Sequence, residues 1–148
     1  MVYTAALIGC GRISSKHIEG FSSNSGTMRL VATCDLTLDR AMEKAREYKT
    51  YATNADVRIY DDYRKMLAEC KPDIVTIAAE SGKHKDIALD CFDAGCHVIC
   101  EKPMALSTHD ADAMNGAAKR AGKKLAVCFQ NRFNRPIQRL RTALEGGR

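Results

Sequence analysis

The sequence predicts an α/β fold with a doubly wound parallel sheet in the strand order 3-2-1-4-5-6. Three observations lead to this fold class. The apolar run at residues 5–8 leads directly into Gly9-Cys10-Gly11 and then into a helical segment. A second β-prone run, residues 29–35, ends on an aspartate 21 residues beyond Ser14. Short apolar runs then alternate with helical periodicity, joined by short loops. Together they predict a Rossmann-type domain over residues 1–133.

The glycine-containing turn after the first strand predicts a phosphate site. Gly9 permits the tight turn, and Gly11 lets a pyrophosphate approach the backbone. The following helix, expected over residues 12–21, would direct its first amides at the phosphates. Ser14 stands where the G-x-G-x-x-G pattern has its third glycine, and serine is small enough for close helix–strand packing. An ordinary glycine turn is the alternative. The predicted phosphate-binding residues are Gly9, Gly11, Arg12 and Ile13.

Asp35 ends the second predicted strand. A dinucleotide-binding fold places there the carboxylate that accepts hydrogen bonds from the adenosine ribose hydroxyls. A carboxylate also repels a 2′-phosphate, and neither Leu36 nor Thr37 is an arginine that could bind one. The position therefore predicts NAD as the cofactor, with NADP less favoured. Alternatively, Asp35 only caps the helix that starts near Leu38.

The remaining strands are short apolar or β-branched runs, and the fourth is apolar throughout, which places it at the centre of the sheet. The predicted strands cover residues 5–8, 29–35, 57–60, 73–79, 97–100 and 124–129. The helices are recognised by apolar residues at i, i+3, i+4 and i+7 and by their caps, among them Asp61 or Asp62, Gly95 and Ser107. They are expected over residues 12–21, 38–48, 62–70, 84–93, 107–121 and 136–144.

Ligands of such sheets lie at the carboxyl ends of the strands. Lys102, after the fifth strand, is the candidate catalytic residue, because an ammonium beside a bound nicotinamide can polarise a substrate oxygen or carry its proton as hydride leaves carbon. The alternative is a surface Glu–Lys pair before a turn proline. The other polar residues expected at this edge to bind the cofactor are Ala79, Glu80, Glu101, Pro103, Asn131 and Arg132.

Composition describes an ordinary globular chain of 148 residues, 45% of them hydrophobic and 28% charged. No apolar stretch approaches a membrane span, and no signal peptide is evident, so we expect a cytoplasmic protein without membrane contact. Residues 119–148 carry nine of the Lys and Arg residues and one acid. A solvated helix face explains this charge better than nucleic-acid binding, because no reader motif accompanies it. The seven cysteines form no Cys-x-x-Cys pair. We therefore expect reduced core thiols, with Cys34, Cys100 and Cys128 in strands, and no metal site.

Two segments resemble the glucose-fructose oxidoreductase/inositol dehydrogenase/MocA family. They are Gly9–Ser14 with Asp35, and Ala94–Ala105, which contains the family's most specific motif, Glu101-Lys102-Pro103. The resemblance extends over all 148 residues. It implies an NAD(P)-binding Rossmann domain followed by a larger open-sheet domain that shapes the substrate site. It also implies that Lys102 is the catalytic lysine, that Glu101 lies near the nicotinamide ribose, and that His84 belongs to the loop lining the cofactor.

Family members often carry Thr-Pro-Asn after strand four, where this chain has Ala79-Glu80-Ser81. Residues 80–84 and 130–134 are similar to members that oxidise the 3-hydroxyl of UDP-N-acetylated sugars. His84 could equally be a capping or packing residue, and packing is the favoured role of His17 within the first helix.

The resemblance places a catalytic aspartate and histidine in the second domain. We therefore expect residues 134–148 to form a crossover helix toward a domain that this chain lacks; Arg148 lies outside the residues that the structure describes. The chain would be the cofactor half of an NAD-dependent oxidoreductase acting on a sugar, cyclitol or nucleotide sugar, inactive alone. The alternative is a nucleotide-binding module without chemistry. The apolar stripe of Ile137, Leu140 and Leu144 predicts a homo-oligomer contact or, alternatively, a last helix that folds back on the domain.

Overall fold

A single parallel sheet of six strands organises the chain; the computed structural model describes residues 1–147. Its strands are β1 (Tyr3–Ile8), β2 (Met28–Cys34), β3 (Arg58–Tyr60), β4 (Ile74–Ile77), β5 (His97–Cys100) and β6 (Leu125–Val127). They lie in the order β3-β2-β1-β4-β5-β6, and all neighbouring pairs are parallel. The predicted fold class and strand order are confirmed.

The described residues also form six α-helices and two short 3-10 turns, of which the last turn and the last helix follow the final strand. The helices are α1 (Ser14–Ser23), α2 (Leu38–Tyr51), α3 (Tyr63–Cys70), α4 (His84–Asp93), α5 (Thr108–Ala121) and α6 (Arg135–Glu145), and the 3-10 turns are Ser81–Lys83 and Gln130–Phe133. Asp62 caps α3 by accepting hydrogen bonds from the amides of Arg64 and Lys65. Ser107 caps α5 through the amide of Asp110. Both predicted caps are therefore present.

The first helix begins at Ser14 rather than at Arg12, where the sequence predicted it. The Ser14 amide donates to the carbonyl of Gly11 at 3.1 Å, and the Lys16 amide donates to the carbonyl of Ile13 at 3.0 Å. These bonds close a turn that contains Arg12 and Ile13 before the helix starts. The backbone amides of Arg12 and Ile13 therefore belong to the turn before α1 and not to the first turn of the helix.

The core has two layers, one on each face of the sheet. Ala5 and Leu7 of β1 belong to the layer that contains Ile18 and Phe21 of α1. Ala6 and Ile8, which alternate with them, belong to the layer beneath α3, α4 and α5. This alternation follows from the strand geometry, because successive side chains point to opposite faces. β1 is thus covered on both faces, which explains its uninterrupted apolar sequence.

The cysteines are free thiols in the part of the chain that the structure describes. Five are buried, namely Cys10, Cys34, Cys91, Cys96 and Cys100, whereas Cys70 and Cys128 are half-buried. Desolvation by burial raises the pKa of the buried thiols, to about 12 for Cys10 and about 11 for Cys96. Cys128 was predicted inside the sixth strand, but β6 is only three residues long and ends at Val127. Its amide still donates to the carbonyl of Cys100 at 2.9 Å.

The last helix, α6, lies in the predicted crossover segment. Its stripe of Ile137, Leu140 and Leu144 is 44%, 55% and 67% exposed, respectively. Phe129 and Phe133, which precede the helix, are also exposed. This end of the chain therefore carries unburied apolar side chains. Within residues 1–147, no helix combines the length and apolarity needed to cross a membrane.

Candidate functional site

The strand ends meet at one edge of the sheet because the parallel strands are in register there. Ile8 of β1 lies opposite Cys34 of β2 and Ile77 of β4. Ile77 in turn lies opposite Cys100, and Cys100 lies opposite Val127. The residues that follow these five ends therefore emerge side by side. They include five of the residues that the sequence analysis selected: Gly9, Asp35, Ala79, Glu101 and Lys102.

Gly9 lies where the β1 turn crosses the backbone that follows β4. Its φ of +90° is in the region that favours glycine, and a Cβ there would lie 2.4 Å from the amide nitrogen of Ala79. By contrast, a Cβ at Gly11 would meet no atom within 4 Å. The first glycine is required by the packing of the protein itself. The second leaves open space above the turn, as a bound pyrophosphate needs.

The turn offers free hydrogen-bond donors. Among residues 1–147, no backbone acceptor engages the amides of Gly11, Arg12 or Ile13. These amides precede the N-terminus of the ten-residue α1, where the helix dipole adds positive potential. Ser14 is fully buried, and its hydroxyl donates to the carbonyl of Gly11. Serine thus replaces the third glycine and also stabilises the turn, a contact that the spacing of the motif does not predict.

Asp35 connects the second strand to the glycine turn. Its Oδ2 accepts from the amide of Cys10 at 2.8 Å, and its Oδ1 accepts from the amide of Thr37 at 2.8 Å. Thr37 precedes the first residue of α2. Asp35 therefore accepts a hydrogen bond from the residue before the helix and does not cap the first turn of α2. The carboxylate is half-buried. Because each carboxylate oxygen accepts more than one hydrogen bond, Asp35 can still accept from ribose hydroxyls.

His84 lies beneath the loops, only 1% exposed. Its Nδ1 is 3.0 Å from the carbonyl oxygen of Pro103, and its Nε2 is 3.0 Å from the carbonyl oxygen of Ala79. The imidazole therefore joins the loop after β4 to the loop after β5. His84 is the first residue of α4, and its side chain contacts these loops from the protein side, whereas the sequence analysis placed it in the loop itself.

Glu101 is the centre of a second group of contacts and is 6% exposed. Its Oε1 lies 3.0 Å from Nε2 of His17, and its Oε2 accepts from the amide of Lys102 at 3.2 Å. Burial lowers the pKa of His17, although the nearby Glu101 carboxylate opposes this shift. Cys128 completes the group from the end of β6. The sequence analysis missed this group, because 84 residues separate His17 from Glu101 and only the strand order brings them together.

The other predicted site residues lie around the same edge, and all of them except Ala79 are exposed. Lys102 and Pro103 follow Glu101 and are joined by a cis peptide bond. Ala79 is half-buried, and Glu80 is exposed immediately before the 3-10 turn Ser81–Lys83. Asn131 and Arg132 lie in the 3-10 turn after β6. The edge therefore combines donors for an anion, a carboxylate for hydroxyls and an accessible ammonium.

Comparison with known proteins identifies the family to which the chain belongs. The model of the Gfo/Idh/MocA oxidoreductase family, described as an NAD-binding Rossmann fold, matches residues 3–129. The chain belongs to this family. As a Gfo/Idh/MocA domain it binds NAD, in keeping with its fold and with the resemblance carried by Glu101-Lys102-Pro103.

Relatives within the Gfo/Idh/MocA family act on sugars and cyclitols. D-glucoside 3-dehydrogenase of Escherichia coli is 34% identical over 142 residues, covering 96% of this chain and 39% of that enzyme. Inositol 2-dehydrogenase of Salmonella typhimurium is 26% identical over 148 residues, covering 99% of this chain and 43% of that enzyme. The chain thus spans about two fifths of the length of these relatives.

A similar solved structure is the WlbA dehydrogenase of Bordetella pertussis in complex with NADH and UDP-GlcNAcA. It superposes with a TM-score of 0.86 at 34% identity, and the match covers 100% of this chain and 43% of that one. The WlbA dehydrogenase from Chromobacterium violaceum, also with NADH and UDP-GlcNAcA, has a TM-score of 0.86 at 35% identity, with 99% of this chain and 41% of that one covered.

Proposed function

We propose that this chain is the cofactor-binding half of an NAD-dependent dehydrogenase that oxidises a hydroxyl group of a sugar, a cyclitol or a nucleotide sugar. The observation that carries the proposal is the convergence of the free turn amides, Asp35 and Lys102 at one sheet edge of a Gfo/Idh/MocA domain. The relatives' dehydrogenase activities give the reaction class.

The cofactor would extend across the sheet edge from the turn after β1. The amides of Gly11, Arg12 and Ile13 would bind its pyrophosphate, and Asp35 would accept from the adenosine ribose. Bound NAD supplies the hydride acceptor. The residues proposed to line its nicotinamide end are Ala79, Glu80, Glu101, Lys102, Pro103, Asn131 and Arg132, with His84 supporting the loops that carry Ala79 and Pro103.

Lys102 is the proposed catalytic residue. Its side chain is exposed at the strand end, so the ammonium is accessible to a substrate. A lysine there can hold and polarise the substrate hydroxyl and take part in moving its proton. The buried Glu101 positions it, because the Glu101 carboxylate binds the amide of Lys102 and the ring of His17.

The substrate pocket would be completed by residues outside this chain. The family match ends at residue 129, which supports assigning residues 1–133 to the NAD-binding domain and residues 134–148 to a crossover helix. Hydride transfer needs a wall that holds the reacting carbon about 3–3.5 Å from its acceptor. We therefore propose that the chain binds cofactor but does not turn over substrate. A substrate oxidised at its 3-hydroxyl is favoured by the D-glucoside 3-dehydrogenase relative.

The test is a fluorescence titration of this chain with NADH and NADPH, combined with an absorbance assay against glucosides, inositols and UDP-sugars. We expect NADH to bind more tightly than NADPH by about 1–3 kcal/mol, because Asp35 binds hydroxyls and repels a 2′-phosphate. Asp35→Asn should reduce this preference, whereas Asp39→Asn, at an exposed acid on α2, should preserve it.

Three outcomes would contradict parts of the proposal. Absence of NADH binding at millimolar concentration would overturn the assignment of the glycine turn. Equal or tighter binding of NADPH would overturn the role of Asp35. Turnover well above the blank would show that this chain alone completes the substrate site. A full-length protein that binds NADH but oxidises none of the panel would favour the alternative, a nucleotide-binding module.

A further inference from the structure

Three side chains of different chemistry converge beside the proposed nicotinamide end of the site. His17 comes from α1, Glu101 follows β5, and Cys128 follows β6. One ligand atom of each, the imidazole nitrogen, the carboxylate oxygen and the thiol sulfur, lies within 4.8 Å of the other two. Glu101 is buried and its two neighbours are half-buried. This group is called the His–Glu–Cys triangle below.

The donor set of the triangle matches one class of ligand. Imidazole nitrogen, carboxylate oxygen and thiolate sulfur are the three donors that Zn²⁺ takes in proteins, at roughly 2.0–2.3 Å. Donors around a tetrahedral ion at those bond lengths are about 3.3–3.5 Å apart. The His17–Glu101 contact of 3.0 Å is already close to this separation, and the Cys128 sulfur lies within 4.8 Å of both of these ligand atoms.

The charges of the triangle also suit a divalent cation. The neutral imidazole of His17 can ligate a metal through a ring nitrogen. Cys128 supplies the thiol of the triangle, half-buried beside the Glu101 carboxylate. A cation would displace the thiol proton to solvent as the sulfur–metal bond forms. A neutral imidazole, a carboxylate and a thiolate then balance the two positive charges, so the occupied site is electrically neutral.

We propose that His17, Glu101 and Cys128 form a binding site for a thiophilic divalent cation such as Zn²⁺, with three protein ligands and one open position. The site shares Glu101 with the proposed cofactor pocket. On that proposed function, the cation and NADH compete, and the cation inhibits the dehydrogenase reversibly.

Cobalt provides a direct probe, because Co²⁺ substitutes for Zn²⁺ and a thiolate–cobalt bond gives a near-ultraviolet charge-transfer band. Titration of the reduced chain with Co²⁺ should produce this band with a stoichiometry of one, and Zn²⁺ should abolish it. Cys128→Ser should remove the band. Cys70→Ser, which changes the other half-buried cysteine, should retain it. His17→Gln should weaken Co²⁺ binding by about tenfold or more.

Circular dichroism of each variant verifies that it folds, and His17→Gln tests the site without touching a cysteine. A parent chain without the band would overturn the proposal. A band that persists in Cys128→Ser would also overturn it, since the cation would then be adventitious and bound elsewhere. NADH titration with and without Zn²⁺ tests the competition separately. If the chain shows the cobalt band but binds NADH equally well with and without Zn²⁺, the metal site is supported and the competition with NADH is contradicted.

Discussion

At the scale of single residues, the two glycines of the turn after β1 serve different purposes. Gly9 has a positive φ, and any side chain there collides with the backbone of Ala78 and Ala79. Gly11 has open space in the direction of a Cβ. One glycine therefore serves the fold, and the other serves the ligand.

This difference predicts opposite effects of one substitution. Gly9→Ala should lower the free energy of unfolding by at least about 1–3 kcal/mol, the usual cost of one strained residue. Gly11→Ala should leave stability nearly unchanged but weaken NADH binding by about tenfold or more, because its methyl group occupies the space for the pyrophosphate. Urea unfolding and NADH titration of both variants measure the two effects. Equal loss of stability in both would contradict this assignment.

Lys102 gives the residue-scale prediction for the chemistry. In the full-length protein, Lys102→Ala should lower turnover by roughly 10²–10⁴, the usual contribution of a positioned acid–base group. NADH affinity should remain within a few-fold, because the turn amides and Asp35 are untouched. Lys65→Ala, at an exposed lysine of α3, is the matched control and should behave as the parent. Comparable turnover of the two variants would make Lys102 a surface residue without a chemical role.

The positions of the site residues were predictable where spacing along the chain encodes them. The glycines and Asp35 follow two consecutive strands, so the sequence alone places them at one edge. The environment of His84 was not predictable, because its ring could turn toward the cofactor loop or beneath it. The contact between Glu101 and His17 joins the end of β5 to α1 across 84 residues of sequence, and no local sequence pattern predicts it.

At the scale of elements, the structure departs from the predicted boundaries by only a few residues. α2 continues to Tyr51 instead of Tyr48, since nothing in its last turn interrupts the helix, and β4 ends at Ile77. The bounds predicted for α4, residues 84–93, are those observed, although this helix has no side-chain cap. The predicted caps Asp62 and Ser107 placed the starts of α3 and α5 within one residue. Strand ends were less accurate, because apolar residues continue past the point where ladder hydrogen bonds stop.

The amino ends of β1 and β4 are tied together by Asp73. Its carboxylate accepts from the Thr4 amide at 2.7 Å and from the Thr4 hydroxyl at 2.8 Å. The backbone hydrogen bond first, and the hydroxyl second, lower the pKa of Asp73 below its ordinary value. A carboxylate with a lowered pKa in the folded state contributes stability above its unfolded pKa, and this contribution is lost as the pH falls through the folded value.

We therefore expect Asp73→Asn to flatten the acid side of the stability profile. The parent should lose stability between about pH 5 and pH 2, and the variant should lose less over the same interval. Asp93→Asn, at an exposed acid at the end of α4, is the control. Urea unfolding at a series of pH values measures the difference. Parallel profiles for the parent and Asp73→Asn would show that protonation of Asp73 does not contribute to the pH dependence of the free energy of unfolding.

At the scale of the whole molecule, charge and apolar surface are concentrated toward the C-terminal side. Residues 119–148 carry nine Lys and Arg residues, and the exposed stripe of Ile137, Leu140 and Leu144 lies within them. Contiguous apolar surface of this kind is rarely left in water by monomeric proteins. A second copy of the chain is one way to cover it.

For the chain by itself, we expect self-association through α6. Analytical ultracentrifugation should show a dimer or larger species, and Leu140→Glu should shift it to monomer because a charge then lies in the apolar contact. Gln138→Glu adds the same charge off the stripe and should leave the association unchanged. A monomeric parent with an ordered α6 would contradict the expectation.

The buried cysteines make it possible to follow the unfolding of this domain by thiol alkylation. Cys10 lies in the core layer beneath α1 and α2, whereas Cys34, Cys91, Cys96 and Cys100 lie in the layer beneath α3, α4 and α5. Raised thiol pKa values and lack of access both slow alkylation in the closed state. The order in which the cysteine-containing peptides become alkylated, measured by mass spectrometry, would thus give the order in which the two core layers become accessible to solvent. This measurement needs no added label, because the native cysteines are divided between the two faces of the sheet.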